Sequence, residues 1–319
     1  MTPLEAAWQA VLESPDDDRA LLVLADALIE RGDPHGELIR LQLTPGLDED
    51  LVLEHVARHA EALLGAEDRL SSWRPVFRRG FLSRIAEVIE RATLQEVLGR
   101  PIARLLRQLE IGALLQEPIG SVVELIAGSA PTTLSHLTLG RPGTSAAGEI
   151  DVARIFDGLP RLTHLRIGCW GSDWTDARGP ALRELDLSLE HPVQQLGTAR
   201  LPELTTWRML LPFRRTELPA DVLGGAVAPK LRSLTIFGAL WPEQLAELSV
   251  SALLRGLTHL DLSAEAETGW YPTLLQTIDS FGHLQRIDLR ADRHHPEWVA
   301  TVRAALPQAV IHTDRAGGV

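Results

Sequence analysis

The sequence predicts an α/β fold in which a small all-α domain comes first and a long series of short parallel strands, joined by helices and turns, follows it. Three observations predict this fold. An aliphatic phrase, Leu-x-x-Leu-x-Leu, returns every 20 to 28 residues from Leu106 onward. Amphipathic helical patterns fill much of the chain before the first copy. Between several later copies, a proline opens a helical pattern at its first turn.

The repeated phrase is the strongest signal in the chain, because a fixed phrase at such a period is typical of repeat architectures. Its second and third leucines lie two residues apart, so in a strand their side chains point to the same side. One copy cannot bury its aliphatic side chains alone, whereas stacked copies bury them in one continuous core. The copies begin at Leu106, Leu134, Leu162, Leu182, Leu204, Leu231, Leu257, Leu284 and Leu306.

This phrase resembles the leucine-rich repeat, whose period is about 20–29 residues. The resemblance implies a solenoid over residues 105–314, with a parallel β-sheet on its concave side and helices and turns on its convex side. A frayed tail, residues 315–319, is expected after it. We predict a first strand at Phe81–Val88, before the first copy. Return helices are expected at residues 149–159, 242–254, 272–281 and 296–306, while the short repeats around residues 182–204 have too few residues for a full helix.

The amino-terminal residues predict several short helices. Thr2-Pro3-Leu4-Glu5 is a capping box with proline at the first helical position, and the aspartates from Asp16 to Asp18 place negative charge at the start of the next helix. Asp33-Pro34 opens a third helix, and residues 48–64 favour a fourth. We therefore expect an acidic helical domain at residues 1–66, followed by a connecting and capping segment at residues 67–104.

The stretch SPDDDRALLVLADALIERGDPHGELIRLQL, with Arg79-Gly80-Phe81 after it, resembles the small helical repeat-companion domain that precedes leucine-rich repeats in many bacterial proteins. Ala27 departs from the family pattern, which usually has Trp at this place. The family is defined by its association with repeats, so the resemblance implies no general activity. A tetratricopeptide-like helix pair is the alternative interpretation of the same pattern.

The net charge indicates which partners to expect, and the cysteine content and hydrophobic pattern indicate the cellular location. The formal net charge is −12, and the first fifty residues hold twelve acidic residues against three arginines. Because phosphate recognition needs a basic face, nucleic acid and anionic membrane are not expected partners. Cys169 is the single cysteine, which excludes an intrachain disulfide. With no secretory signal and no apolar run of membrane-spanning length, a cytoplasmic location is expected.

The alternation of side chains along each predicted strand names the residues that face away from the core. Aromatic residues also follow several strand ends, as at Trp174, Trp270 and Tyr271. Because Trp is enriched at protein–protein hot spots, these aromatic residues either anchor a partner along one rim or fill turns between uneven repeats. The predicted partner-binding residues are His136, His164, Arg166, Trp170, Glu184, Asp186, Arg208, Phe237, Trp241, His259, Asp261, Arg286 and Asp288.

No catalytic constellation stands out in the sequence. It contains neither a Gly-x-Ser-x-Gly motif nor a phosphate-binding loop. His136 and His164 should stand on neighbouring strands, but two imidazoles fall short of the three or four ligands of a zinc site, so we expect solvent-facing histidines. Cys169 is expected to face the core as a small apolar side chain. No cofactor, metal or small-molecule substrate is therefore predicted.

The sequence favours a non-catalytic scaffold that binds another protein through the concave face of the sheet and its aromatic rim. Repeat scaffolds present extended surfaces of this kind, and charges of both signs suit protein recognition. The alternative is a regulatory or accessory subunit whose acidic amino-terminal helical domain docks onto a catalytic or signalling partner. An enzyme would need a polar cluster in a deep pocket, which the sequence does not indicate.

Overall fold

The fold is known from a computed structural model of the chain. It describes residues 1–46, 49–65, 75–88, 90–112, 118–144, 149–169, 171–188, 196, 198–211, 220–238, 240–264, 270–290 and 297–312. For residues 87–88, 141–144, 169 and 264 it describes the main chain alone. The expected frayed tail therefore lies outside the described residues, as do Trp170 and the side chain of Cys169.

Five helices make up the amino-terminal region: α1 (Pro3–Glu13), α2 (Asp18–Ile29), α3 (Pro34–Leu43), α4 (Glu49–Arg58) and α5 (Ala60–Leu64). The predicted capping box is present, since the Thr2 hydroxyl accepts from the Glu5 N–H and the Glu5 carboxylate accepts from the Thr2 N–H. Helices α2 and α3 are each capped by the aspartate before them. The predicted fourth helix is divided at His59, which separates α4 from α5.

Thirteen strands occur in the described residues, and eleven of them form one mixed but mostly parallel sheet. Its order is β1-β2-β3-β4-β6-β8-β9-β10-β11-β12-β13, while β5 and β7 form a separate pair. Only the β1–β2 pair in the large sheet is antiparallel. The strands are β1 (Val76–Arg78), β2 (Phe81–Val88), β3 (Gln108–Ile111), β4 (His136–Thr144), β5 (Ile150–Asp151), β6 (His164–Cys169), β7 (Ser172–Asp173), β8 (Glu184–Ser188), β9 (Thr206–Leu211), β10 (Ser233–Gly238), β11 (His259–Ala264), β12 (Arg286–Arg290) and β13 (Ala309–His312).

The strands pair in the register that the aliphatic phrase predicts. The residue at the second leucine of each copy pairs with its counterpart in the next copy, so Leu165 lies between Leu137 and Leu185. Trp207 occupies the same position in β9 and is fully buried, as expected of a core residue. The buried leucines of the strands join the buried side chains of the helices in one continuous core. The described helices therefore pack against one side of the sheet, and none of them covers the other side.

The return segments vary in structure with their length. Helices are α6 (Arg91–Leu98), α7 (Ile119–Ser129), α8 (Val152–Gly158), α9 (Ala220–Leu223), α10 (Pro242–Val250), α11 (Ala252–Gly256), α12 (Tyr271–Gln276) and α13 (Glu297–Ala305). Short 3₁₀ turns lie at Pro101–Ala103 and Ile278–Phe281. The return helices predicted at residues 149–159 and 296–306 are present with shorter bounds. The one predicted at 242–254 is divided at Ser251 into α10 and α11, and the one predicted at 272–281 is α12 followed by a 3₁₀ turn. Helix α7 was not predicted. None of these described helices combines the length and apolar character needed to cross a bilayer.

The hairpin of β1 and β2 joins the amino-terminal helices to the edge of the sheet. Gly80 has a φ of 84° at its turn, and a side chain there would collide with Ile39 in α3. The Gly80 N–H donates to Gln42 Oε1 at 2.6 Å, and Gln42 Nε2 donates to Phe77 O at 3.1 Å. His35 Nε2 donates to Gly80 O at 2.9 Å. Glycine is required at this turn for both its conformation and its close approach to α3.

The core register predicts a large effect on stability for one residue in β6 and a small effect for its neighbour. Leu165 is buried at 2% exposure, and Arg166 beside it is exposed. Leu165→Ala should lower the free energy of unfolding by about 2–5 kcal/mol, because it leaves a cavity between strands. Arg166→Ala, the matched control, should change it by less than about 1 kcal/mol, since it removes only an exposed ion pair. Urea denaturation of both variants checks this, and equal losses would contradict the register.

The buried His35 predicts a loss of stability in acid. Burial lowers the pKa of His35 to about 4. In the unfolded chain a histidine has a pKa of about 6.5, so the unfolded state takes up the proton first as the pH falls. Stability should therefore decrease below about pH 6.5, and this one site accounts for about 2 kcal/mol between pH 7 and pH 5.

The variant His35→Gln isolates that contribution. Glutamine keeps an N–H donor for Gly80 O but does not titrate in this range. Urea denaturation at pH 7 and at pH 5 should show a smaller acid-induced loss in the variant than in the unaltered protein. The same loss in both proteins would mean that other groups cause the pH dependence.

Candidate functional site: the polar face of the sheet

The side of the sheet opposite the helices is here called the polar face. It is formed by residues directly before, and directly after, the buried residue at the second leucine position of each strand. Arg166, Arg208 and Arg286 are exposed on it. The predicted residues His136, His164, Glu184, Asp186, His259 and Asp261 are half-buried on the same face. Strand alternation therefore placed these nine residues on the side that the sequence predicted.

The amino-terminal half of the polar face contains a shallow depression with a volume of about 220 Å³. It crosses strands β3, β4, β6, β8 and β9, whose in-register pairing brings equivalent positions side by side. The polar side chains that line it are Gln108, Glu110, His136, Thr138, His164, Arg166, Glu184, Asp186 and Arg208. Six of these are predicted partner-binding residues, so the structure brings that part of the prediction together in one place.

Two histidines stack at the centre of the depression. The rings of His136 and His164 lie 3.9 Å apart between centroids and are inclined by 9°. Each ring places Nδ1 at 2.8 Å from the hydroxyl of the preceding residue, Ser135 or Thr163. Those hydroxyls donate to main-chain carbonyls of the preceding repeat. Each hydroxyl oxygen is then the acceptor for an Nδ1–H, and the Nε2 atoms are left to interact across the polar face.

The two histidines, His136 and His164, differ in their electrostatic surroundings. His164 Nε2 lies 3.2 Å from Glu184 Oε1 on the next strand. Burial and the neighbouring His164 lower the pKa of His136, and the negative charge of Glu184 opposes that shift only in part. His136 is therefore neutral near pH 7, with Nε2 available as a hydrogen-bond acceptor. The depression presents this acceptor beside a histidine–carboxylate pair.

The hydroxyl, imidazole and carboxylate of Thr163, His164 and Glu184 are in contact in the order of a nucleophilic triad. The direction of the hydrogen bonds argues against that chemistry, because Thr163 donates its hydroxyl proton to the main chain rather than to His164. A hydroxyl at the equivalent position donates to the main chain of the preceding repeat at Ser135, Thr205 and Thr258 also. This bond is thus a feature that links successive repeats.

Several charged residues of the polar face form ion pairs, but within the described residues Arg208 does not. Arg84 pairs with Glu110 at 2.6 Å, and Arg166 pairs with Asp186 at 3.4 Å. Arg208 is next to Asp186 in the strand register and is exposed. Within the described residues, no ion pair is found for Arg208. Its guanidinium is therefore a charge that the face can offer to a ligand.

Asp288 differs from the prediction, because its side chain is only 3% exposed. Arg286 donates to both of its oxygens, at 2.7 and 2.8 Å. His259 and His312 each donate from Nε2 at 2.8 Å. The hydrogen bonds from Arg286, with those from the two histidines, hold the pKa of Asp288 well below its usual range although burial raises it. Asp288 is thus covered by its neighbours rather than exposed on the polar face.

The prediction of an exposed aromatic rim is also corrected in part. Trp174, Trp270 and Tyr271 are buried, at 0%, 1% and 3% exposure. Trp174 donates to the Ser172 hydroxyl, and the Trp270 and Tyr271 rings stack with centroids 4.2 Å apart. These three side chains fill the turns after their strands, which is the second interpretation offered by the sequence. Phe237 and Trp241 are half-buried, and Trp170 lies outside the described residues.

Three sets of polar residues were not singled out from the sequence. His312 was assigned to a degenerate last repeat, yet it reaches Asp288 from β13. The hydroxyls of Ser135 and Thr163 precede the stacked histidines, and their recurrence at one position of the phrase was a usable signal. A cluster of Glu37, His55 and His59 lies in the amino-terminal helices, where the i, i+4 spacing of the two histidines was the available signal.

Comparison with known proteins does not assign the chain to a family or a function. Protein-family models give no match to the chain, and a search of curated proteins gives none either. The functional conclusions therefore depend on the residues themselves.

Asp288 should contribute to stability rather than to binding. Asp288→Ala removes a buried carboxylate and leaves three donors without their acceptor, so we expect a loss of about 3 kcal/mol in the free energy of unfolding. Among the described residues, Asp261, its in-register neighbour, accepts hydrogen bonds only from Ser263 in its own strand. Asp261→Ala should therefore cost about 1 kcal/mol or less. Calorimetry at neutral pH checks the difference, and similar losses in the two variants would show that Asp288 does not hold this end of the sheet together.

Proposed function

We propose that the chain is a leucine-rich-repeat solenoid that binds another protein through the polar face of its sheet, without catalysing a reaction. The observation that carries this proposal is the open depression of β3–β9, where charges of both signs stand on a face that no described helix covers. A rigid sheet holds these side chains in fixed relative positions, which reduces the entropy lost on binding.

The strand arrangement supports the solenoid part of the proposal. From β2 to β13 the large sheet follows chain order, and each strand pairs in parallel with the strand of the preceding aliphatic phrase. Such neighbour-to-neighbour stacking is how repeat proteins build extended binding surfaces. Under this proposal the polar face is the concave side, and the amino-terminal helices cover the open end of the stack.

The chemistry of the depression favours a protein over a nucleic acid. Arginines alternate with carboxylates from strand to strand, as with Arg166, Asp186 and Arg208. A phosphate backbone would meet repulsion from the acidic members of this row and from the net charge of −12. A protein surface can match both signs. We expect its contact residues to include a carboxylate for Arg208 and a hydrogen-bond donor for His136.

Docking through the acidic amino-terminal domain is the second candidate. Part of that acidity is used within the chain: Asp18 pairs with Arg79 at 3.1 Å, and Asp16 lies 3.7 Å from Arg107. These contacts, from the start of α2 and the turn before it, leave fewer acidic groups for a separate partner. We therefore place the polar face first. The proposed location is the cytoplasm, in keeping with a chain that has one cysteine and no disulfide.

Reversal of one charge in the depression tests the function. Arg208→Glu should abolish retention of the partner in affinity purification from the source cell, or weaken it at least about tenfold, because it replaces attraction by repulsion within the face. Arg255→Glu is the matched control, since Arg255 is exposed on α11, on the helix side of the sheet. It should retain the same partner.

Three outcomes distinguish the candidates. Loss in Arg208→Glu alone supports binding through the polar face. Retention in both variants, with loss when exposed acidic residues such as Glu13 and Glu30 are changed to alanine, favours docking through the amino-terminal helices. Loss in both arginine variants, without a change in folding by circular dichroism, would contradict a site confined to the polar face.

A further inference from the structure

A cluster of two histidines and one glutamate lies far in sequence from the polar-face depression. Glu37 is on α3, His55 is on α4, and His59 stands at the junction of α4 and α5. Each of the three offers one ligand atom, and these atoms all lie within 4.8 Å of one another. The two histidines are separated by one helical turn, so both imidazoles project from the same side of the helix.

His55 is held in the orientation that a metal ligand needs. Its side chain is 6% exposed, and its Nε2 donates to Pro34 O at 2.9 Å. The main-chain carbonyl fixes the proton on Nε2, which leaves the lone pair on Nδ1. That Nδ1 faces Glu37 Oε2 at 3.7 Å. Histidine ligands of metals commonly donate their second ring nitrogen to a carbonyl or carboxylate in this way.

The spacing of the three groups fits a small tetrahedral ion. Zinc binds histidine nitrogen and carboxylate oxygen at about 2.0–2.2 Å, so two of its ligands in a tetrahedron are about 3.4 Å apart. The His55–Glu37 distance is already close to that value. The rings of His55 and His59 have centroids 4.7 Å apart and are inclined by 46°. The ligand nitrogen of His59 lies within 4.8 Å of the other two ligand atoms, so ion binding has to draw it closer to them.

We propose that Glu37, His55 and His59 bind one Zn²⁺ ion, with a water molecule as the fourth ligand. Two imidazoles and a carboxylate select a borderline transition ion over Mg²⁺ or Ca²⁺, which prefer oxygen ligands. The Glu37 side chain is 61% exposed, so solvent can reach the fourth position. The ion joins α3 to the α4–α5 junction and stabilises the amino-terminal helices.

Zinc titration of the full-length protein by calorimetry tests the site. One equivalent of Zn²⁺ should bind, and Co²⁺ in its place should give the intense visible absorption of a tetrahedral complex. The thermal unfolding temperature should rise with zinc, because the ion binds the folded chain in preference to the unfolded one. Binding should weaken in acid, because protons compete with the metal for the ligand nitrogens.

Two variants avoid disturbing the buried contact of His55. Glu37→Gln and His59→Gln each remove one ligand, and each should weaken zinc binding at least about tenfold. Glu54→Gln and His283→Gln are the matched controls, because both residues are exposed and lie outside the cluster. They should keep the affinity of the unaltered protein.

Three results would overturn the proposal. The first is the absence of a saturable site for one equivalent of Zn²⁺. The second is binding that persists at full affinity in both Glu37→Gln and His59→Gln, which would place the ion elsewhere on the chain. The third is an equal loss in the two control variants. None of these results bears on the partner-binding function of the polar face, which is measured without zinc.

Discussion

The structure depends on one constraint: parallel strands pair in register, so equivalent residues of successive repeats form continuous rows across the sheet. The buried row of Leu137, Leu165 and Leu185 is the clearest case, since each pairs directly with the next. Because side chains alternate along a strand, the same pairing forms exposed rows on the other side. The stacked histidines and the alternating charges of the polar face are thus a consequence of how the core packs. A change of register by one residue would bury these charges and expose the leucines.

Polar side chains on adjacent strands contact one another across the polar face, and these contacts decide which of them remain available to bind a partner. At one end of the sheet, the Asp288 carboxylate contacts Arg286, His259 and His312, and these side chains bury it. Near the centre, burial and the neighbouring His164 lower the pKa of His136, so the histidine pair presents one neutral acceptor. Arg208 has an acidic neighbour in register without an ion pair to it in the described part of the chain. Two faces with the same residue types could therefore differ in their ability to bind a partner, because the contacts between adjacent strands decide which side chains are already paired.

The sequence was sufficient for features that follow from periodicity and insufficient for those that follow from contacts. The leucine phrase predicted the strand register, and Phe81–Val88 was predicted with its observed bounds. Helix α7 was missed because Gly120 and Gly128 lie within it and no side chain caps its start. Asp288 was placed correctly on its strand, but alternation does not show that His312 and Arg286 would cover it. The sequence left two interpretations of the tryptophans open for a related reason, since a residue after a strand end can turn either toward solvent or over the core.

The account makes one central claim, that the polar face of β3–β9 is the surface that meets another protein. Hydroxyl-radical footprinting of the chain, free and in complex with its co-purified partner, tests this claim most directly because it reports the solvent accessibility of individual side chains. The account predicts protection of His136, His164 and Arg208 in the complex, with unchanged labelling of exposed side chains on α11 and α13. Protection confined to those helices, with the polar face still fully labelled, would contradict it.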